Sequence, residues 1–526
     1  MMGMSTRGLG AGRQGYAHQS STYKLIGLWV MTLTAVLLGT AYSVFYADAA
    51  AMVAAIGVAG LALVLTIRYP EMATWVVVFV LYTNLAAIAV KLYGVPSMVA
   101  ASFALLLVFP LADHLFGRKK PLRLDLNLVL MLLLLIDLQM AAVFAVDFNI
   151  AMRWIWEYLT EGIILYFLLV NVIRSLEALK RVIWVLLIAA GLLGSLSLFQ
   201  EVTQSYDMEF GGLAQRNVEY WTDEHRASDQ DGLFRTREKV GNVNRARGPV
   251  DDPNRFSQIL LMVLPLGVFI FWQGRSGIKA RVAAGAVLLL GFCGVLVTYS
   301  RGAFVTCALL SLFVAMLGYI RFRQLAIGSV LLALIVLIAA PGYVVRMQSI
   351  LGAQGLVSET AEVEPDAVTR GRVTEMLAAL NVFLDYPVTG VGPGQYAPFY
   401  SVEYMQDPEI AYRDIDDTRR AHTLYFEFAA ETGIFGIGIF GLIVFINARR
   451  LLHYRRRYLS ARPDLAHLAT ALLCSLIAFL STSIFLHLAF QRYLWLMLAI
   501  IGASLFIMRE AENGVDGAPD GRPPLF

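Results

Sequence analysis

The sequence predicts an all-α, polytopic membrane bundle of about fourteen crossing helices, with two long loops on one face. Three observations point there. Of 526 residues, 58% are hydrophobic and only 15% charged, with a mean hydropathy of +0.64, a balance that suits repeated membrane crossings. The apolar residues gather in runs of roughly 20, the length a helix needs to cross the hydrocarbon core. Basic residues recur in alternate connections, the bias that decides which connections stay inside.

Residues 1–23 are polar, Gly/Ser-rich and basic, and no cleavage-site pattern follows, so they are expected to form a cytoplasmic tail. An N-terminal bundle (24–200) is expected to cross near 24–46, 49–67, 72–91, 95–115, 125–145, 154–173 and 181–200. A polar loop (201–255) follows, then central helices (256–343) near 256–273, 282–299, 303–320 and 324–343. A second long loop (344–421) leads to C-terminal helices (422–508) near 424–448, 467–488 and 492–508. The Gly/Pro-rich tail 509–526 is expected to be disordered and cytoplasmic.

Orientation follows from the basic residues. With the N-terminus inside, the inner segments collect Arg118/Lys119/Lys120/Arg123, Arg174/Lys180/Arg181, Arg275/Lys279/Arg281, Arg321/Arg323 and Arg449/Arg450/Arg455/Arg456/Arg457. The short outer connections hold only Lys91, Arg153 and Arg492, which selects N-in/C-in. Both long loops then face outward. Loops of that length are usually functional or disordered. Residues 351–369 are small and acidic, which suits a mobile stretch, whereas 371–385 has the spacing of an amphipathic helix on the membrane surface or over the bundle.

Cys293, Cys307 and Cys474 all fall in apolar runs, offering neither a disulfide framework nor a metal-ligand cluster. No metal, cofactor or nucleic-acid partner is expected; membrane lipids are. The distinctive charges lie at the outer surface. A secondary transporter would place charged or broken helices at mid-membrane, so that reading ranks low.

The stretch LVTYSRGAFVT (residues 296–306) places Arg301 in an otherwise uncharged run from Val282 to Ile320, about twice the length of one crossing. The run must turn near its middle, which brings Arg301 to the outer surface. There it either anchors the turn to lipid phosphates or binds an anion, for which a guanidinium fork beside Ser300 and Gly302 is suited. A second segment, NRARGPVDDPNRF (residues 244–256), sets Arg245, Arg247 and Arg255 around Asp251-Asp252-Pro253-Asn254. Asp-Pro-Asn reads as a helix start with Asp252 or Asn254 as cap, which leaves the upstream arginines unexplained.

The third segment carries PVTGVGPGQYAPFY (387–400) and RRAHTLYFEFAAETGIFG (419–436). Its glycines, Gly390, Gly392 and Gly394, read first as loop architecture, because no strand precedes them. His422 stands at the outer mouth of a span, either as an interfacial residue or as a general base. Helical geometry puts Tyr425 on its face, while Glu427 and Glu431 share a different face, so neither is a ready same-helix partner. Glu431 inside a span is expensive alone and is expected to meet an arginine from another segment.

Together, the outward Tyr-Ser-Arg-Gly turn, the Arg-x-x-Gly…Asp-Pro-Asn segment, the Pro-x-x-Gly-Val-Gly-Pro-Gly loop and the following His…Glu-Thr-Gly-Ile-Phe-Gly resemble the O-antigen ligase and polymerase superfamily over residues 240–440. The resemblance implies a bacterial inner-membrane glycosyltransferase with a GT-C-like helical fold. It implies metal-independent transfer of a glycan, with inversion, from an undecaprenyl-pyrophosphate donor to an acceptor hydroxyl at the periplasmic face. The acceptor would be lipid A-core, another glycan or a protein; a polymerase of the same superfamily is the alternative. By this resemblance Arg301 and Arg245 hold the pyrophosphate and His422 activates the acceptor. Arg372, Tyr299, Ser300 and Glu431 bind substrate, with Arg247 an alternative phosphate contact.

Overall fold

The computed structural model describes residues 69–95, 103–229, 232–272, 277–339, 367–487 and 491–516. The expected tail 1–23, the spans 24–46 and 49–67 and the acidic stretch up to residue 366 lie outside the described residues. The account below concerns the unit Ala73–Phe526.

Helices α1 (Pro70–Tyr82) and α2 (Leu85–Tyr93) form a bent pair with a 57° angle at the break. Asn84, left-handed at φ +59°, explains the bend, since a helix cannot pass through such a residue. Then come α3 (Phe103–Gly117), α4 (Leu126–Ala142), α5 (Phe148–Val172) and α6 (Leu176–Thr203). Three of these start where a side chain caps the free N–H groups: Asp125 for α4, Asp147 for α5 and Ser175 for α6.

After α6 the chain forms an antiparallel hairpin, β1 (Gln215–Asp229) with β2 (Gly232–Gly248). Nothing in the hydropathy pattern announces it. Helices α7 (Pro253–Trp272), α8 (Ile278–Leu296), α9 (Arg301–Met316) and α10 (Phe322–Ala339) follow. The second loop contains α11 (Ala367–Asp385), which lies against a later span, and the short α12 (Ser401–Met405). The chain closes with α13 (Leu424–Tyr458), α14 (Pro463–Thr482) and α15 (Gln491–Asp516).

Among the described residues, α5, α6, α7, α8, α13, α14 and α15 are long and apolar enough to cross a membrane, α1 with α2 adds one bent candidate, and α3, α4 and α9 are apolar but shorter. The protein is an all-α, multi-pass membrane protein. Where the residues are described, helices lie at the expected spans from 72–91 onward, three of them (Phe103–Gly117, Leu126–Ala142 and Arg301–Met316) shorter than a crossing needs. Two ends shift: α13 continues past the expected 448 to Tyr458, and α15 continues to Asp516, so the stretch from Arg509 to Asp516, expected to begin a disordered tail, extends the last helix.

The core is continuous through Leu169, Leu186, Phe256, Leu260, Leu472 and Trp495. α7 packs on α14, α8 and α6. The crossing of α6 and α8 is close enough that a Cβ on Gly194 would stand 2.3 Å from the Leu290 carbonyl oxygen, which requires glycine there. This packing brings the end of α8, the starts of α7, α9 and α13 and the end of β2 to one end of the bundle, and the chemistry gathers there.

Candidate active site

The three segments singled out in the sequence meet through one amide. Asp252 caps α7 by accepting from Arg255 N–H at 2.8 Å, with Pro253 in the first turn, so the Asn254 side chain is not spent on capping. Asn254 Oδ1 instead accepts from Arg245 Nη2 at 3.0 Å and from Ser300 Oγ at 2.9 Å. Arg245 is buried, and its Nε donates to the Thr298 carbonyl at 2.8 Å. One residue on, Ala246 N–H donates to the Val297 carbonyl at 3.0 Å. The end of β2 is thereby stitched to the turn that precedes α9.

Ser300 is the N-cap of α9, its Oγ accepting from Ala303 N–H at 3.3 Å. Arg301 is the first helical residue and half-buried, and its Nη1 donates to Thr369 Oγ1 of α11 at 3.2 Å. Three residues along α11 stands Arg372. Burial, and then the nearby guanidinium groups of Arg301 and Arg245, push the pKa of Arg372 down. The carboxylates of Asp252 and Glu375 act on Arg372 in the opposite sense, more weakly than the two guanidinium groups. Three positive charges crowded together repel one another, and an anion bridging them relieves that repulsion.

His422 lies just before α13, left-handed at φ +48°, with its ring facing α11. Its Nδ1 stands 2.6 Å from Oε2 of the buried Glu375 and 3.2 Å from the Arg420 carbonyl oxygen. The His487 ring lies edge-on at 5.6 Å, and Arg255 donates to His487 Nε2. Burial, and then the charges of Arg255 and Arg420, hold the pKa of His487 well below its ordinary value. Arg420 pairs with the fully buried Glu427, which also accepts from Ala421 N–H at 3.0 Å, and lies over the Trp154 ring at 4.9 Å.

The glycine loop packs against a break in α13. Gly433 (φ +66°) interrupts the helix, and a Cβ there would stand 2.3 Å from the Val388 carbonyl oxygen; one on Gly390 would stand 2.4 Å from the Glu431 backbone. The loop pairs with the break through Val391 N–H to Ala430 O at 2.9 Å and Gly392 N–H to Glu431 O at 3.0 Å. Among the described residues, no three His, Cys, Asp or Glu side chains gather to hold a metal ion.

Residues 284–441 match the family model described as O-antigen ligase. Over that stretch the chain is similar to the O-antigen ligase family. No curated protein matches the chain. The ligase match takes in Arg301, Arg372, Glu375, His422 and Glu431, while Arg245 and Asn254 reach that domain from outside it, through the contacts above.

Of the residues expected at the site of this ligase-type enzyme, Arg245, Arg301 and Arg372 come together, and His422 joins them through α11. Others are placed elsewhere. Arg247 turns to Asp251 at 2.8 Å, away from the convergence. The Tyr299 hydroxyl lies 3.5 Å from Glu201 at the end of α6. Ser300 is occupied by Asn254 and its cap. Glu431 was expected to meet an arginine. The positive charge of Arg420 acts on its carboxylate, which also accepts the backbone N–H groups of Gly394 and Tyr396 in the glycine loop. Glu375, His487 and the Arg420–Glu427 pair carry no motif that marked them in the sequence, and Asn254, within the Asp-Pro-Asn motif, was read as a candidate cap and not as a tie between segments. The one available signal was Glu375, a carboxylate one turn after Arg372 in the same amphipathic stretch.

Proposed function

We propose that the protein is a glycosyltransferase of the O-antigen ligase type, acting at the periplasmic face of the bacterial inner membrane with both termini cytoplasmic. It transfers a glycan from an undecaprenyl-pyrophosphate donor to an acceptor hydroxyl. The observation that carries this reading is the convergence of Arg245, Arg301 and Arg372, joined by one helix to His422. A lipid pyrophosphate suits that place, because its polyprenyl tail stays in the bilayer while its charge meets guanidinium groups at the bundle end.

In this reaction His422 takes the proton of the acceptor hydroxyl as its oxygen bonds to the anomeric carbon. The bond from that carbon to the pyrophosphate oxygen breaks, the electron pair leaves with the lipid pyrophosphate, and the configuration inverts. The arginines stabilise the charge that grows on the leaving group, which is where fixed donors act most strongly. We assign Ser300 and Glu431 to holding the turn and the glycine loop, and Tyr299 and Arg247 to the surround.

Reconstituted protein given undecaprenyl-pyrophosphate-linked glycan and lipid A-core yields glycosylated acceptor, at a rate that EDTA leaves unchanged. His422→Ala and Arg301→Ala each lower the rate by at least about 100-fold while still inserting in the membrane. Longer carrier-linked chains in place of acceptor product would move the assignment to a polymerase. Normal transfer by His422→Ala would overturn the assigned chemistry.

A further inference from the structure

We infer that Glu375 is a positioning residue, holding His422 in the one tautomer and orientation that leave Nε2 free to face an acceptor hydroxyl. The inference rests on the general-base reading of His422 and adds how that base is made ready.

The argument starts from what surrounds Nδ1. Nδ1 is in hydrogen-bonding geometry with the Arg420 carbonyl at 3.2 Å, and Glu375 Oε2 stands 2.6 Å from it as a close ion-pair contact off the hydrogen-bond direction; both oxygens can only accept. Nδ1 must then carry the proton, and the lone pair is left on Nε2, the nitrogen a general base needs. Glu375 is 2% exposed, so little water screens it from the imidazole. It is also held still. The Tyr396 hydroxyl donates to its backbone carbonyl at 3.1 Å, and Thr374 Oγ1 beside it donates to the Ile410 carbonyl at 3.1 Å.

The other charges near His422 are accounted for. Arg419 Nη1 approaches Glu375 Oε1 at 3.4 Å, on the oxygen not facing the imidazole. The Arg420 guanidinium is balanced by Glu427. His487, from the segment between α14 and α15, accepts from Arg255 on α7 through Nε2 and is held neutral. Glu375 is therefore the negative group best placed to favour the imidazolium that forms when the acceptor gives up its proton, the task a buried carboxylate performs in hydrolase triads. The φ of +48° at His422 is a strained conformation for a residue with a side chain, and it occurs where the ring meets α11.

The test compares wild type, Glu375→Gln, Glu375→Asp and His422→Ala in the full-length reconstituted enzyme. With undecaprenyl-pyrophosphate-linked glycan and lipid A-core, Glu375→Gln lowers kcat by about 100-fold with KM for the donor little changed, and Glu375→Asp recovers part of the loss. Independently of any substrate, the 15N spectrum of histidine-labelled wild type, with His422→Ala subtracted, shows the proton of the neutral His422 ring on Nδ1, whatever the fate of the Gln variant. A spectrum with that proton on Nε2, or an undiminished kcat in Glu375→Gln, overturns the inference. Unimpaired transfer by His422→Ala overturns the underlying reading of the base instead.

Discussion

Ser300 Oγ donates to Asn254 Oδ1 across 2.9 Å, tying the start of α9 to the start of α7. The same oxygen receives Arg245. Asn254→Ala removes the shared acceptor and lets the Arg245 guanidinium swing away from Arg301. The loss of about 1–3 kcal/mol typical for a buried polar group left short of a partner becomes a fall of about 10- to 100-fold in kcat/KM. Steady-state transfer assays check it, with membrane yield unchanged.

The crowded arginines set a trade between stability and function. Arg372→Ala relieves repulsion from Arg301 and Arg245, so in buffer without multivalent anions its apparent Tm in detergent is higher than that of wild type, while transfer is lost. Millimolar inorganic pyrophosphate raises the Tm of wild type and has a smaller effect on the variant. Scanning fluorimetry with and without pyrophosphate reads both.

Glu427 is fully buried and neutralises Arg420 beside Trp154. Glu427→Ala removes the carboxylate that pairs with the half-buried Arg420 guanidinium and costs about 1–3 kcal/mol, whereas removing both partners costs much less than the sum of the single changes. A double-mutant cycle on thermal or denaturant unfolding measures the difference.

His487 supplies a pH dependence of stability. Its folded-state pKa is depressed by burial and by Arg255 and Arg420, so above its ordinary value near 6.5 both folded and unfolded protein hold it neutral and its contribution is intact. As pH falls below about 6.5, the unfolded chain takes up a proton that the folded chain resists, and stability drops by up to about 1.4 kcal/mol per pH unit. His487→Asn flattens the decline of apparent Tm between about pH 6.5 and pH 5.

How much of this could be read from the chain depends on the kind of force involved. Apolar runs and the basic residues between them mark the crossings, because solvation by lipid acts on each segment separately, and the long uncharged run around Arg301 revealed its turn by length alone. Arg245, Arg301, Arg372 and His422 stood out because charge at a membrane boundary is rare. The hairpin at 215–248 gave no sign, since strand pairing is settled between segments and not within them. Glu375 and Asn254 were hidden for a related reason. A carboxylate in a loop helix and an asparagine after a proline have ordinary local explanations, and only the meeting of α11 with the start of α13, or of α7 with α9, gives them another. For Glu431 the cost in a span and the arginine that offsets it, Arg420, were legible, but the backbone N–H groups of the glycine loop that share the task were not.

Arg372 and Glu375 are separated by three residues of one helix, a rise of about 4.5 Å. One faces the arginines and the other the histidine, so in the proposed reaction α11 acts as a ruler between the leaving-group end and the proton-accepting end. No side-chain rearrangement lengthens a helical turn. A donor whose phosphate sat at the arginines would then present its sugar at a set distance from His422.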